Sequence, residues 1–163
     1  TAGGRRGPAL IVAAGLIAVD QVVKVLAVSS LEGTAGIPLI GDFLRLDLTR
    51  NSGAAFSLGA GRATVFFTAL ASVVVVAACV LLPRAHTRLA RWGTILLIGG
   101  AAGNLVDRLL RAPGGGSGHV VDYIHIHNFP VFNIADICIT GSAFCLALSS
   151  LRPAPRPRDG VDE

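Results

Sequence analysis

Charge is scarce in this chain. Only 15% of its 163 residues are Asp, Glu, Lys or Arg, 52% are hydrophobic, and the mean hydropathy is +0.66. A soluble domain carries about 25% charged residues, so the composition excludes one and points to an integral membrane protein. Aromatic residues are also few, at 6%, and form no arrays with basic residues of the kind that bind nucleic acid. Nucleic acid is therefore not an expected partner. Cys79, Cys138 and Cys145 all lie in apolar runs without the spacings of a zinc site, so they read as buried thiols. Val76-Ala77-Ala78-Cys79 matches a lipobox, but in mid-chain rather than behind an N-terminal signal, which makes it a chance match. There is no internal repeat, and the absence of an initiating Met suggests a trimmed N-terminus.

What is present is a set of long apolar runs. Pro8 to Ser30 is long enough to cross about 30 Å of hydrocarbon at about 1.5 Å per residue. It carries Asp20 and Lys24, which share one helix face, can pair, and make that face an interior wall. Arg5 and Arg6 ahead of the run would also suit a cleavable signal peptide, but its length and internal charges argue for a retained span. Thr64 to Leu82, closed by Pro83, has no acidic or basic side chain and reads as lipid-facing scaffold. The third run opens at the interfacial residue Trp92 and reaches Leu110, with Asn104, Asp107 and Arg108 near its end. Asn133 to Leu151 is the fourth. The expected fold is membrane all-α, a single domain over 1–151 with spans at about 8–30, 64–82, 92–110 and 133–151, then a disordered tail over 152–163.

Residues 31–62 and 112–132 are less hydrophobic and should form a platform at one membrane surface. Phe43 to Arg50 alternates, with Leu44, Leu46 and Leu48 on one side and Arg45, Asp47 and Thr49 on the other, as a half-buried strand does. Asn51-Ser52-Gly53 is a turn signal, and Ala54 to Leu58 continues apolar. Ala112 to Ser117, APGGGS, reads as a flexible connector, and Val120 to Ile126 as a strand. Arg5 and Arg6, then Arg84, Arg88 and Arg91, then Arg152, Arg156 and Arg158 all fall on one side of a four-span arrangement. The positive-inside rule makes that side cytoplasmic, with both termini there and the platform outside.

Two acids stand out at the outer rim, Asp122 in the predicted strand and Asp136 at the start of the fourth run, neither with a basic neighbour in sequence. An unpaired carboxylate near hydrocarbon costs about 2.5 to 3.5 kcal/mol, so such residues are functional candidates, and two of them suggest a shared proton. A plainer role competes at Asp136, because Asn133 is a good helix N-cap and the helix dipole accepts a negative charge three residues later. Asn104, Asp107 and Arg108 share one helical face, where Arg108 either snorkels to headgroups or positions a substrate. Asn51 and Asn133 offer amides for backbone binding, with turn and cap roles as rivals. His125 and His127 on one strand face read as an exposed interfacial strand rather than a metal site, since ligation normally needs three or more protein groups.

Five ordered motifs carry a resemblance: Asp20-Gln21 with Lys24, Asn51-Ser52-Gly53-Ala54-Ala55-Phe56, Gly103-Asn104 with Asp107-Arg108, Val120-Val121-Asp122-Tyr123, and Phe132-Asn133 with Ala135-Asp136. In this order on a four-span chain they closely resemble bacterial lipoprotein signal peptidase, also called signal peptidase II, from Asp20 to about Gly141. The resemblance implies a small extracytoplasmic β-cradle and a short interfacial helix beside the four spans. It implies an aspartyl endopeptidase of the bacterial cytoplasmic membrane, a monomer without metal or cofactor. Its substrates would be diacylglyceryl-modified prolipoproteins, cut just before the lipidated cysteine on the extracytoplasmic side. By the same resemblance Asp122 and Asp136 are the catalytic pair, and Asp20, Lys24, Asn51, Asn104, Asp107, Arg108 and Asn133 line or brace the site or engage substrate.

Two departures from the family pattern bear on this. Tyr123 stands where the family usually has Phe, and the APGGGS connector lengthens the path from Asp107 to Asp122. A register shift there would make Asp107 the rival partner of Asp136. The competing class of function is a proton-coupled transporter or lipid-handling protein with a relay through Asp20, Asp107 and Asp136. A GxGD-type intramembrane protease is disfavoured, because that motif does not occur.

Overall fold

The computed structural model describes residues 6–53 and 60–151. The apolar stretch Ala54–Leu58 and the tail after Leu151 lie outside the described residues. Helices α1 (Arg6–Leu31), α2 (Ala60–Leu81), α3 (Arg88–Leu110) and α4 (Ile134–Ser150) are joined by strands β1 (Ile37–Ile40) and β2 (Leu44–Asn51) between α1 and α2, and β3 (Val120–Ile126) between α3 and α4. The first three helices are long and apolar enough to cross a membrane; α4 is apolar but has only 17 residues. A short 3-10 turn at Leu82–Arg84 follows α2, and Thr87 then caps α3, accepting from the Ala90 amide. The cationic segment expected as a loop is thus helical from Arg88, because the Thr87 hydroxyl satisfies a first-turn N–H one turn earlier than Trp92 suggests.

Helix α3 is the centre of the bundle, packed by α1, α2 and α4. Half of its apolar window is buried against 17% for α1 and for α2, which expose Val22, Val25, Leu26, Val73, Val76 and Val80 outward. Small residues allow the close approach: a Cβ at Gly100 would lie 2.5 Å from the Ala135 carbonyl oxygen of α4, and one at Gly103 would lie 2.8 Å from Asp20 Oδ2 of α1. At the end nearer the start of α1, Ala9, Ala13, Ala78, Leu82, Ile95 and Ile98 form one apolar cluster. At the other end a second cluster of Ala27, Leu31, Val121 and Tyr123, with Leu46, Leu48 and Ile134 against it, seats the sheet on the helices.

The sheet is antiparallel in the order β1-β2-β3. Its β2 register shifts between Leu46 and Thr49, so the alternation of Phe43–Arg50 is blunted and Leu44 to Leu48 are all half-buried. After β3 the chain turns at Asn128, which takes the left-handed φ of 61° that asparagine tolerates, and doubles back so that Phe132 pairs with Ile124. That return lays Asn133 and α4 beside Asp122. The APGGGS connector is not loose: the Gly118 amide donates to the Arg108 carbonyl at 2.9 Å and Thr68 Oγ1 donates to the Gly116 carbonyl at 2.6 Å. Carbonyls left open at the end of α3 give the connector its acceptors. No short helix occurs among the described residues of the platform.

Candidate active site

Asp122 and Asp136 come together around one residue, Asn133. Its side chain donates to Asp122 Oδ1 at 2.6 Å, while its backbone amide donates to Asp136 Oδ2 at 3.1 Å. The other two carboxylate oxygens are also met by amides: Asn51 Nδ2 reaches Asp122 Oδ2 at 3.1 Å, and Asn104 Nδ2 reaches Asp136 Oδ1 at 2.8 Å. Asn133 Oδ1 in turn accepts from the Asp136 amide at 3.0 Å, completing a capping box. The capping role foreseen for Asp136 is therefore real, and it serves to aim the carboxylate rather than to replace a function.

Local sequence explains this arrangement. Asn51 ends β2 and its Oδ1 accepts from the Gly53 amide at 2.8 Å, an Asx turn that leaves the NH2 free to point at β3. Burial comes first among the influences on Asp122, 2% exposed, and the negative charge of Asp136 adds to it. Together they outweigh the Asn51 and Asn133 donors and push the Asp122 carboxyl up to about 6. Asp136 is half-buried and opens on a groove of about 700 Å³ whose wall includes Ile126, Phe129, Phe132, Ile137 and Thr140. A long apolar ligand has access to that carboxylate from the side.

The remaining site residues divide into two groups. Asn104 and Asn133 belong to the dyad's amide frame, whereas Asp20, Lys24 and Asp107 form a separate ion cluster. Lys24 Nζ lies 2.9 Å from Asp20 Oδ2 and 2.8 Å from Asp107 Oδ2, all fully buried. Asp107 also takes Arg111 Nε at 2.7 Å and the Val121 amide at 3.1 Å. It is consequently not a rival partner for Asp136: the pinned connector leaves Asp122 in the dyad and turns Asp107 onto cations. Arg108 is folded inward, its guanidinium 5.9 Å from the centre of the Phe67 ring and within electrostatic reach of Asp122, Asp136 and Asp107. His125 bonds Asp47 at 2.7 Å, and no group of three metal-binding side chains occurs among the described residues.

Two members of the ion cluster were missed from sequence as site residues. Gln21 Nε2 bridges the Gly103 carbonyl at 3.0 Å and Asp107 Oδ1 at 3.1 Å, and Arg111 pairs with Asp107. Arg111 was findable, since it lies one helical turn after Asp107. The Tyr123 hydroxyl, absent from the family pattern, is buried with only the Ile134 backbone near enough to favour its ionised form, and burial outweighs that and pushes it up to about 12. It stays a neutral phenol.

The sequence profile of the signal peptidase (SPase) II family matches residues 12–152. The chain belongs to that family. It is 44% identical over 142 residues to the lipoprotein signal peptidase of Mycobacterium avium, covering 87% of this chain and 78% of the relative. Identity to the lipoprotein signal peptidase of Streptomyces coelicolor is 40% over 151 residues, covering 91% and 74%. A solved bacterial membrane enzyme superposes with a TM-score of 0.78 at 27% identity, covering 91% of this chain and 95% of the other. Signal peptidase II enzymes are proteases, so the chemistry to be sought at this site is peptide-bond hydrolysis in a membrane setting.

Proposed function

We propose that the chain is an aspartyl endopeptidase that removes the signal peptide from diacylglyceryl-modified prolipoproteins, cutting just before the lipidated cysteine. Family membership supports the removal of signal peptides from prolipoproteins; the chemistry rests on the dyad. The observation that carries it is that Asp122 and Asp136 are held by neutral amides on all four oxygens, with no ion-pair partner among the described residues. Two such carboxyls cannot both ionise cheaply and hold one proton between them. Asp136 sits at a helix N-terminus, where first-turn N–H groups favour a negative charge, while burial favours the protonated form of Asp122. In this reading Asp136 takes a proton from water, the resulting hydroxide attacks the scissile carbonyl, and Asp122 hydrogen-bonds the oxygen that becomes anionic. Collapse breaks the C–N bond, and a dyad proton passes to the departing cysteine nitrogen.

In this reading α4, about 26 Å long, is a fourth span, both termini are cytoplasmic, and the sheet and the dyad lie at the extracytoplasmic rim of the bacterial cytoplasmic membrane; the arginines gathered at the opposite end of the spans support that orientation. The groove beside Asp136 suits the apolar parts of a lipidated precursor arriving from the bilayer, and a single copy suffices for the site. The transporter alternative is weakened because two members of its relay, Asp20 and Asp107, are held in ion pairs by Lys24 and Arg111. In liposomes, Asp122→Asn and Asp136→Asn should each abolish processing of a lipidated precursor on a gel while the protein stays folded. Full cleavage by either variant removes that residue from the dyad, and pH-driven solute flux without cleavage would favour the transporter.

A further inference from the structure

The chain has one lysine, Lys24, and it is fully buried. Its three ammonium protons have three acceptors: Asp20 Oδ2 at 2.9 Å, Asp107 Oδ2 at 2.8 Å and Asn104 Oδ1 at 2.9 Å. The third contact has a consequence at the dyad. An ammonium only donates, so the Asn104 group facing Lys24 must be the carbonyl, and Asn133 Nδ2 donates to the same oxygen at 3.1 Å. The NH2 end is thereby forced toward Asp136 Oδ1, at 2.8 Å.

We infer that Lys24 is a positioning residue of the peptidase, locking the Asn104 amide so that Asp136 is kept as the ionised member of the dyad. The inference rests on the dyad reading above. Without Lys24 the Asn104 oxygen keeps only the 3.1 Å contact from Asn133 Nδ2, a group shared with Asp122 Oδ1 and the Val121 carbonyl, so the amide is less firmly held and its flipped form, which presents a lone pair to Asp136 in place of an N–H donor, becomes accessible. The charged and titratable groups around Lys24 are Asp20 on its own helix, Asp107, Arg108 and Arg111 on α3, Asp122 and Tyr123 on β3, and Asp136 on α4. Loss of the lysine charge acts in the same sense as the amide rotation, since Lys24 also favours the ionised form of Asp122.

Lys24 touches no surface, so substrate binding should be spared while the chemical step suffers. Lys24→Met with Asp107→Asn removes one charge of each sign and so protects folding; Asn104→Leu leaves the two Lys24 ion pairs intact. Each should lower kcat about ten- to a hundred-fold with KM within about two-fold, and move the acid limb of the pH–kcat profile up by about one unit. Because both act mainly through one amide, combining them should shift the limb by clearly less than the sum of the two. An unmoved acid limb in folded protein, with only the amplitude reduced, would overturn the inference and leave Lys24 a structural ion. Cleavage surviving in Asp122→Asn or Asp136→Asn would instead overturn the dyad reading, so the two failures are separable.

Discussion

Two carboxylate clusters lie side by side at one end of the bundle, and they are treated in opposite ways. Asp20 and Asp107 meet Lys24, and Asp107 meets Arg111 as well, so their negative charge is matched by cations. Asp122 and Asp136 meet amides on every oxygen and, among the described residues, no cation in an ion pair. Ion pairs commit the Asp20 and Asp107 carboxylates to holding α1 to α3. An amide-held pair is fixed in geometry yet free to exchange a proton, which is what hydrolysis by an activated water demands. The contrast also gives α3 a double use, since Asn104 serves the amide frame and Asp107, three residues on, serves the ion cluster. Asn104 Oδ1 is the point where the two meet.

If that contrast is correct, equal substitutions should fail differently on its two sides. Amide for acid in the dyad should cost more than about a thousandfold in kcat with little loss of fold, the largest effect anticipated, measured as single-turnover cleavage in liposomes. In the ion cluster the damage should be to stability. Lys24→Met alone strands the buried Asp20 carboxylate and leaves Asp107 with Arg111 only, and should lower unfolding free energy in detergent by about 3 to 5 kcal/mol. An equally stable variant would mean that the cluster is not the structural member of the pair.

A third comparison turns on pH. Asp122 is pushed up to about 6 in the folded protein, above its unfolded value, so its contribution to stability is complete below about pH 4 and is lost as pH rises through about 6. Asp122→Asn lacks this loss. At pH 8 it should be more stable than the parent by about 1 kcal/mol, a linkage gain of roughly 2 to 3 kcal/mol less the cost of one mismatched amide contact. The advantage should vanish at about pH 5 and reverse by about pH 4, where the linkage gain is gone and the mismatch cost remains, read as thermal midpoints that cross. A dyad member that strengthens the fold when disabled is the signature of a site held against its own stability.

The parts of this molecule legible in its sequence are those set by local pattern. Apolar length marked the helices, a run of apolar and β-branched residues marked β3, and the Asn133–Asp136 spacing marked the start of α4. The amide frame was not legible in the same way. Asn51, Asn104 and Asn133 come from three separate elements, and which atom each amide offers depends on a partner elsewhere, as Lys24 decides for Asn104. Composition misled at the connector, whose glycines suggest freedom, because the open carbonyls ending α3 lie outside any local window. It misled again at β2, where a register shift that no residue type announces blurs the alternation.

A carboxylate outside both clusters supplies the control and the smallest effect. Asp47 on β2 accepts from His125 at 2.7 Å and Arg45 Nε at 3.2 Å, with a quarter of its side chain still exposed. The His125 contact leads the influences that hold its carboxyl below the usual range, against a smaller opposing effect of burial. Its stabilisation is therefore present above the unfolded carboxylate value and lost as pH falls through the lower folded one, the reverse of Asp122. Solvent screens such a pair, so Asp47→Asn should cost about 0.5 kcal/mol at neutral pH, nothing below about pH 3, and leave kcat unchanged. A change in cleavage rate would mean that the outer sheet surface communicates with the dyad; its absence would confine function to the amide-held pair.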